Sequence, residues 1–521
     1  MTDGKHQIIQ QLLQEEYDIE IAKDIWHAHK DLFCGAIKEI TEDETDDYLG
    51  YRIMCNRKNN KLKKIISSLG SVLIFTLIIA TVGCSSKEES GISSAVESTP
   101  IPEAISIPEP SPTPEVTPTP EATPTPEATP TPEPTPTMTP DELYQEAIEK
   151  SLVETGNNCR MKRVLEKARA GEDIYVCALG GSVTEGALAK TNDEGYAYLF
   201  ANEFKATYCP GDGSNFHFVN AGLSGTPSTL GIIRYQKDVV DLLGADPDIL
   251  IIEFAINDYN EPTKGKAYES LIRKALEAND DCAVILLYSI ARSGWNMQDN
   301  YIRMGKRYSV QQVSIKDALY KTSKMMRVPE SKYFADDYHP TTYGHVLMKD
   351  CMMNLIKVID EEETGPQIKL PEQDYMGADF KNLVMIDSNS VSSSNLTIDP
   401  GSFSDIDEAV VSMYFTKKAS FPDNFYHKAG NENKPFKLTL NCKNILINYK
   451  TSNHSDFGKA DFYVDGELVA TADGYSSGGW NNCNVIMVLK QDEASEHVLE
   501  VKMAEGSEDK AFTILSIGYS E

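Results

Sequence analysis

A chain of 521 residues is long enough for two or three domains with their own cores. Its 79 acidic residues against 49 basic ones give a formal charge of −30. No cluster of Lys and Arg stands beyond residue 70, which argues against a nucleic-acid partner, because phosphate binding needs such clusters.

Residues 1–60 read as a cytoplasmic segment or as an over-extended gene start, and their His27, His29 and Cys34 are too loosely spaced to hold a metal. The basic run Lys61-Leu-Lys-Lys64 then precedes Ile65 to Val82, which are 18 uncharged residues. That is about the shortest run that crosses a bilayer, and the basic flank predicts that everything after it lies outside the cell. Counted from Met54, the basic stretch, the apolar run and the cysteine stand in the proportions of a signal peptide. Thr81-Val82-Gly83-Cys84 resembles the lipobox of bacterial lipoproteins, with Thr81 where that family usually has Leu. The segment 61–84 is therefore a membrane anchor of one of two kinds: a lipoprotein signal with Cys84 as the lipidated residue, or a single transmembrane helix.

Residues 85–140 form a linker. PTPEAT repeats with a period of six, and 15 of the chain's 26 prolines fall between Pro100 and Pro140, so the tract cannot bury a core. Polyproline II geometry, at about 3.1 Å per residue, would hold the following domains up to roughly 120 Å from the membrane.

From 141 to 365 helical and strand patterns alternate. A helix is expected over Met161–Ala170, stopped by Gly171, and a last one from about Thr342 to Ile359. Near-continuous apolar runs at Ile174–Leu179, Phe216–Asn220, Ile249–Ala255 and Ala283–Ser289 predict a parallel sheet covered on both faces. In such sheets ligands gather at the carboxyl ends of the strands. Four stretches fall at strand ends or before the last helix: Gly180-Gly-Ser182, Asn220-Ala-Gly222, Ala255-Ile-Asn257-Asp258 and Asp336-Asp-Tyr-His339-Pro340. A serine after two glycines serves as a turn residue, a helix cap or a nucleophile. Acyl transfer needs a nucleophile, a base, a group that orients the base, and oxyanion donors, and these stretches hold all four residue types.

Taken in this order, the stretches resemble the conserved blocks of the SGNH/GDSL esterase superfamily over about residues 155–360. GGSVTEG has Gly181 where many members have Asp, and AIND has Ala255 where Gly is more common. The resemblance implies a flavodoxin-like α/β fold and a serine esterase without a cofactor or metal. It implies Ser182 as nucleophile, His339 as base and Asp336 as its orienter. The oxyanion hole would be the N–H groups of Ser182 and Gly222 and the side-chain amide of Asn257.

Other assignments compete. Ser224 lacks the Gly two residues on that a nucleophile elbow needs, since Thr226 stands there. Asp337 competes with Asp336, though the three-residue spacing favours Asp336. His217 in its strand and His345 on the last helix read as structural. Trp295 follows a strand end, so it either faces the pocket or packs as a structural aromatic.

Residues 375–521 change to short alternating strands at Phe436–Leu440, Ile445–Tyr449, His497–Met503 and Phe512–Tyr519, with a hairpin on Asp465-Gly466. A jelly-roll-like β-sandwich is expected, similar to the small β-domains attached to carbohydrate esterases of the SGNH type. Tyr475 and Trp480 either stack on a sugar ring or pack on their own domain. The ten cysteines show no CxxC pair; Cys177 and Cys282 read as buried hydrophobes, and Cys442 and Cys483 are candidates for a disulfide. Together these features predict a membrane-anchored cell-surface esterase that removes acyl groups, acetyl foremost, from polysaccharide. The competing readings are an esterase of peptidoglycan or lipid, and a glycan-binding protein without catalysis.

Overall fold

Each apolar run expected in the middle of the chain is a strand in the computed structural model, which describes residues 138–322, 325–392 and 396–521. The segment 1–60, the anchor with Cys84 and nearly all of the linker lie outside the described residues. Among the described residues, no helix is long and apolar enough to cross a membrane.

Six strands, β1 (Leu152–Glu154), β2 (Ile174–Gly180), β3 (Phe216–Gly222), β4 (Ile249–Glu253), β5 (Ala283–Tyr288) and β6 (Gln311–Ser314), form one sheet in the order β1-β6-β5-β4-β2-β3. β2 to β6 run parallel, and β1 is an antiparallel edge on β6. Without that edge the order is the doubly wound, flavodoxin-like one, which reverses beside β2. The register sets Gly180 beside both Gly222 and Glu253, so three strand ends meet at one level.

Alternate residues of β2 face opposite layers. Val176 and Ala178 pack with helices α2 (Asn158–Ala170), α4 (Tyr196–Tyr208) and α8 (Thr342–Glu361), which follow here the short α1 (Pro140–Lys150) and flank α3 (Ser182–Glu185). Cys177 and Leu179 pack on the other face with α5 (Ser228–Ile233), α6 (Lys266–Ala278) and α7 (Gln298–Tyr308). Sequence periodicity placed α2 and α8 well; Asn157 caps α2 and Gly171, with φ +77°, ends it. β6 carries no apolar run because Gln311, Gln312 and Ser314 are buried through hydrogen bonds, among them Tyr288 Oη to Gln312 Oε1 at 2.7 Å.

The C-terminal strands are β7 (Val384–Ile386), β8 (Thr397–Asp399), β9 (Phe425–His427), β10 (Phe436–Ser452), β11 (Lys459–Val464), β12 (Glu467–Asp473), β13 (Trp480–Met503) and β14 (Phe512–Ser520). They form an antiparallel sheet ordered β9-β14-β10-β13-β11-β12, with β8 on β10 and β7 on β14. The two strands expected at 436–440 and 445–449 are one strand. Its register shifts between Cys442 and Asn444, and such bulges bend a strand without ending it. Both halves of β10 therefore line one core, with Leu438 and Ile447 meeting Phe462 and Phe512. The Asp465-Gly466 hairpin is present with both residues at positive φ.

The apolar layer outside β4 does not end at the hydrolase-like domain. Phe380, Leu383, Val410, Val411, Phe421, Leu446, Cys483 and Leu515 complete it from the C-terminal region. Cys483 belongs to this shared layer and Cys442 to the inner β-core, so the candidate disulfide is not formed and both thiols are free.

Within the β-domain Lys450 is buried against Asp407, with Nζ 2.5 Å from the carboxylate, and Thr513 donates to the same group at 2.6 Å. Removing one partner of a buried pair strands the other, so Asp407→Ala is expected to cost about 3–5 kcal/mol in denaturant unfolding. A loss near zero would contradict the pair's structural role.

Candidate functional site

The site begins where β2 ends. The chain turns at Gly181, whose N–H donates to Glu253 O at 3.2 Å, and α3 starts at Ser182, which is 8% exposed. A Cβ on Gly181 would stand 2.3 Å from Asn257 Oδ1, so the asparagine occupies the space that any other residue at 181 would need. A Cβ on Gly222 would meet Glu185 N at 2.2 Å, so the end of β3 lies directly against α3. The two backbone approaches gather Ser182, Gly222 and Asn257 from three strands.

The fourth stretch arrives just before α8. His339 Nε2 lies 2.8 Å from Ser182 Oγ, and its Nδ1 lies 2.8 Å from Asp336 Oδ2. The other carboxylate oxygen accepts from the N–H groups of Tyr338 at 2.8 Å and His339 at 2.7 Å, an Asx-type turn that fixes the three-residue spacing. Partial burial works against the Asp336 carboxylate, but the His339 ring and the two N–H groups outweigh it and hold its pKa below the usual Asp value. Asp336 therefore stays ionised and favours the tautomer with hydrogen on Nδ1, leaving Nε2 to accept from the serine hydroxyl. Asp337 points elsewhere, 3.8 Å from Arg292.

The expected oxyanion donors are gathered but not equally free. Ser182 opens α3, where N–H groups have no intrahelical acceptor. The Gly222 N–H already donates to Asn220 Oδ1 at 2.9 Å, and Asn220 Nδ2 donates to Thr184 O at 2.9 Å. Asn257 Oδ1 is buried without a hydrogen-bond partner.

Of the aromatic candidates, half-buried Trp295 packs edge-to-face on Tyr259 with ring centres 5.6 Å apart, and Met297 N–H donates to Ala255 O at 2.8 Å. Its loop thus lies along the Asn257 loop. Trp480, half-exposed, reaches over from the β-domain: a Cβ on Gly225 would be 3.0 Å from its ring. Tyr475 bridges Ser452, which also pairs with Trp480, so it stands on that edge of the β-domain. Ser224 is no free hydroxyl, since it donates to Glu185. His217 pairs with Asp173 at the surface at 2.9 Å. His345 is buried, accepts from Tyr196 N–H at 3.3 Å and is pushed down to about 4 by desolvation, as a structural histidine would be.

Three carboxyl groups around the turn carry no periodic signal, and their charge argues for solvent. Glu253 accepts from Ser289 and, at 2.9 Å, from Thr184, directly beneath the turn. Burial pushes it up to about 7 against those hydroxyl bonds. Asp258 accepts from Ser228 N–H at 2.6 Å and Tyr301 Oη at 2.5 Å, and burial pushes it likewise to about 7. Glu185, 2% exposed, is the third.

Residues 178–347 match the GDSL-like lipase/acylhydrolase family. No curated protein matches the chain. Among solved structures the chain is similar to a two-domain esterase active on acetylated mannans, at 24% identity over 72% of this chain and 99% of that one, with a TM-score of 0.61. The same values, with 98% of that chain covered, hold for such an esterase co-crystallised with mannopentaose. An acetylxylan esterase of Geobacillus stearothermophilus, in a catalytic mutant, is 17% identical over 39% of this chain and 100% of that one, at a TM-score of 0.26. The likeness to the two-domain esterase extends well beyond 178–347, so the fold of both domains is shared with it.

Folded Glu253 holds its proton to about pH 7, whereas an unfolded Glu releases it near 4.5. Between those values the folded state binds more protons, so stability falls as pH rises through the window. Asp258, raised to about 7 from 3.8, acts with the same sign. The melting temperature is expected to fall from pH 5 to 7, less steeply in Glu253→Gln, by thermal unfolding in matched buffers. An equal slope in the variant would contradict the assignment.

Proposed function

Residues 178–347 match the GDSL-like lipase/acylhydrolase family, and on that premise we propose that the protein is a serine esterase that removes acetyl groups from polysaccharide. The observation that carries the reading is the continuous hydrogen-bonded line from Asp336 through His339 to Ser182, with each link at 2.8 Å. Nucleophile, base and orienter stand at the carboxyl end of the sheet, where a doubly wound fold takes its ligands.

In the proposed reaction Ser182 Oγ attacks the ester carbonyl while His339 Nε2 takes its proton. Negative charge develops on the carbonyl oxygen and is met by the Ser182 N–H and the Asn257 amide, with the Gly222 N–H shared between Asn220 and the oxyanion. The imidazolium, stabilised by Asp336, returns the proton to the leaving sugar hydroxyl. Water then attacks the acyl-serine with His339 again as base, releasing the acid and restoring the hydroxyl.

Trp295 packs on Tyr259, two residues after Asn257, and Trp480 stands beside Gly225, three residues after Gly222, and aromatic faces so placed offer stacking surfaces for sugar rings. Because a two-domain esterase of the same fold is active on acetylated mannans, acetylated mannan is the first substrate to try. The anchor-like run at 61–84 and the Pro/Thr-rich tract at 85–140, both read from the sequence, support a place on the cell surface.

Acetate release from acetylated mannan, xylan and peptidoglycan tests the reading. Ser182→Ala and His339→Ala are each expected to lower kcat by more than about 10³-fold, and the double variant by no more than either, because the pair acts as a unit. Wild-type release from none of these substrates, nor from a small aryl acetate, would overturn it. Trp480→Ala is expected to raise KM about tenfold more for an acetylated mannooligosaccharide than for the aryl acetate. Equal shifts would remove Trp480 from the sugar site.

A further inference from the structure

Glu185 closes α3, three residues after Ser182, and is almost fully buried, yet no cation faces it among its hydrogen-bond partners. One oxygen accepts from the N–H of Ser224, at 2.9 Å, and from its hydroxyl; the other accepts from the backbone N–H of Tyr414. Ser224 lies two residues after Gly222. Tyr414 belongs to an arm at 410–421 that leaves the shared apolar layer at Val410 and Val411 and returns to it at Phe421. Ser420 N–H to Val411 O and Met413 N–H to Lys418 O, both at 2.9 Å, fold the arm back on itself. Its tip lands on the nucleophile helix, where a Cβ on Gly186 would be 3.4 Å from the Phe415 ring.

We propose that Glu185 is a positioning residue that fastens the arm of the β-domain to the nucleophile helix and to the Gly222 loop, so that the sugar-binding side of the cleft exists only when the domains are docked. The inference rests on the esterase reading for its consequence, though not for its geometry. Three donors converge on two oxygens, and among side chains only a carboxylate offers two acceptor oxygens. A glutamine keeps the shape but has one acceptor oxygen; facing Ser224 it keeps two donors and turns its N–H₂ on the Tyr414 N–H, so the contact to the arm opens. An open arm costs sugar contacts at the cleft's edge while the Ser182–His339 distance is set by other residues.

Amide hydrogen exchange on the full chain tests the fastening without reference to catalysis. Glu185→Gln is expected to speed exchange at residues 412–418 by about tenfold or more while the amides of β2, β4 and β5 hold their rates. Ser224→Ala removes one hydroxyl donor and leaves both N–H donors, so it should not free the arm. In kinetics, Glu185→Gln is expected to raise KM for an acetylated mannooligosaccharide about tenfold and that for a small aryl acetate less than about threefold. Tyr414→Pro, which removes the donor from the other side, should give the same split if Glu185→Gln does not fold. Unchanged exchange at 412–418, or equal KM shifts on both esters, would overturn the proposal. A wild-type protein inactive on every ester would overturn the esterase reading instead, and the exchange result would still decide the fastening.

Discussion

The site depends on how closely backbone approaches backbone at the carboxyl end of the sheet. Asn257 lies where a side chain on residue 181 would be, and the first turn of α3 lies where one on residue 222 would be. Neither gap can be widened separately, because β2, β3 and β4 share one hydrogen-bonded register through Gly180, Gly222 and Glu253. The serine is thus delivered by a rigid ladder and a turn without Cβ atoms, and only the base arrives from a distant part of the chain. The substitution of Gly for Asp at position 181, seen against the family resemblance, has its physical counterpart in this packing.

Around that turn the chain places Glu185, Glu253 and Asp258 inside a protein whose formal charge is already −30. Each is satisfied by hydroxyl or N–H donors in place of a salt bridge. Buried polar groups that are fully bonded fix one arrangement, because every alternative leaves a donor or an acceptor unpaired. Glu253 supports the turn from below and Glu185 holds it from the side. Asp258 ties the Asn257 loop to the start of α5 and to Tyr301 of α7.

β2 and β4, which carry the first and third blocks, were legible because both of their faces are buried, which leaves runs such as Ile249 to Glu253 almost wholly apolar. β6 escaped because Gln311, Gln312 and Ser314 are buried by bonding rather than by hydrophobicity. The break read between Leu440 and Ile445 was a bulge, since Asn441, Lys443 and Asn444 look like a turn while the ladder continues through them. Ser182, Asp336 and His339 could be named from sequence and do come together. Glu185, Glu253 and the arm at 410–421 could not, since their roles lie in contacts between segments 36 to 229 residues apart. The occupied Gly222 N–H is equally invisible in sequence, because nothing in Asn220-Ala-Gly222 shows that the asparagine side chain turns back onto it.

The apolar layer shared by the two domains bears on how such a chain can be reassembled over evolutionary time. A binding module that moves freely among enzymes is polar all round, so that excision exposes little. Here Leu446, Cys483 and Leu515 of one domain lie in the same layer as Leu250, Ile252 and Phe254 of the other. Separating them would bare apolar faces on both pieces, each a site for aggregation. The heritable unit is accordingly the pair, shuffled as a whole.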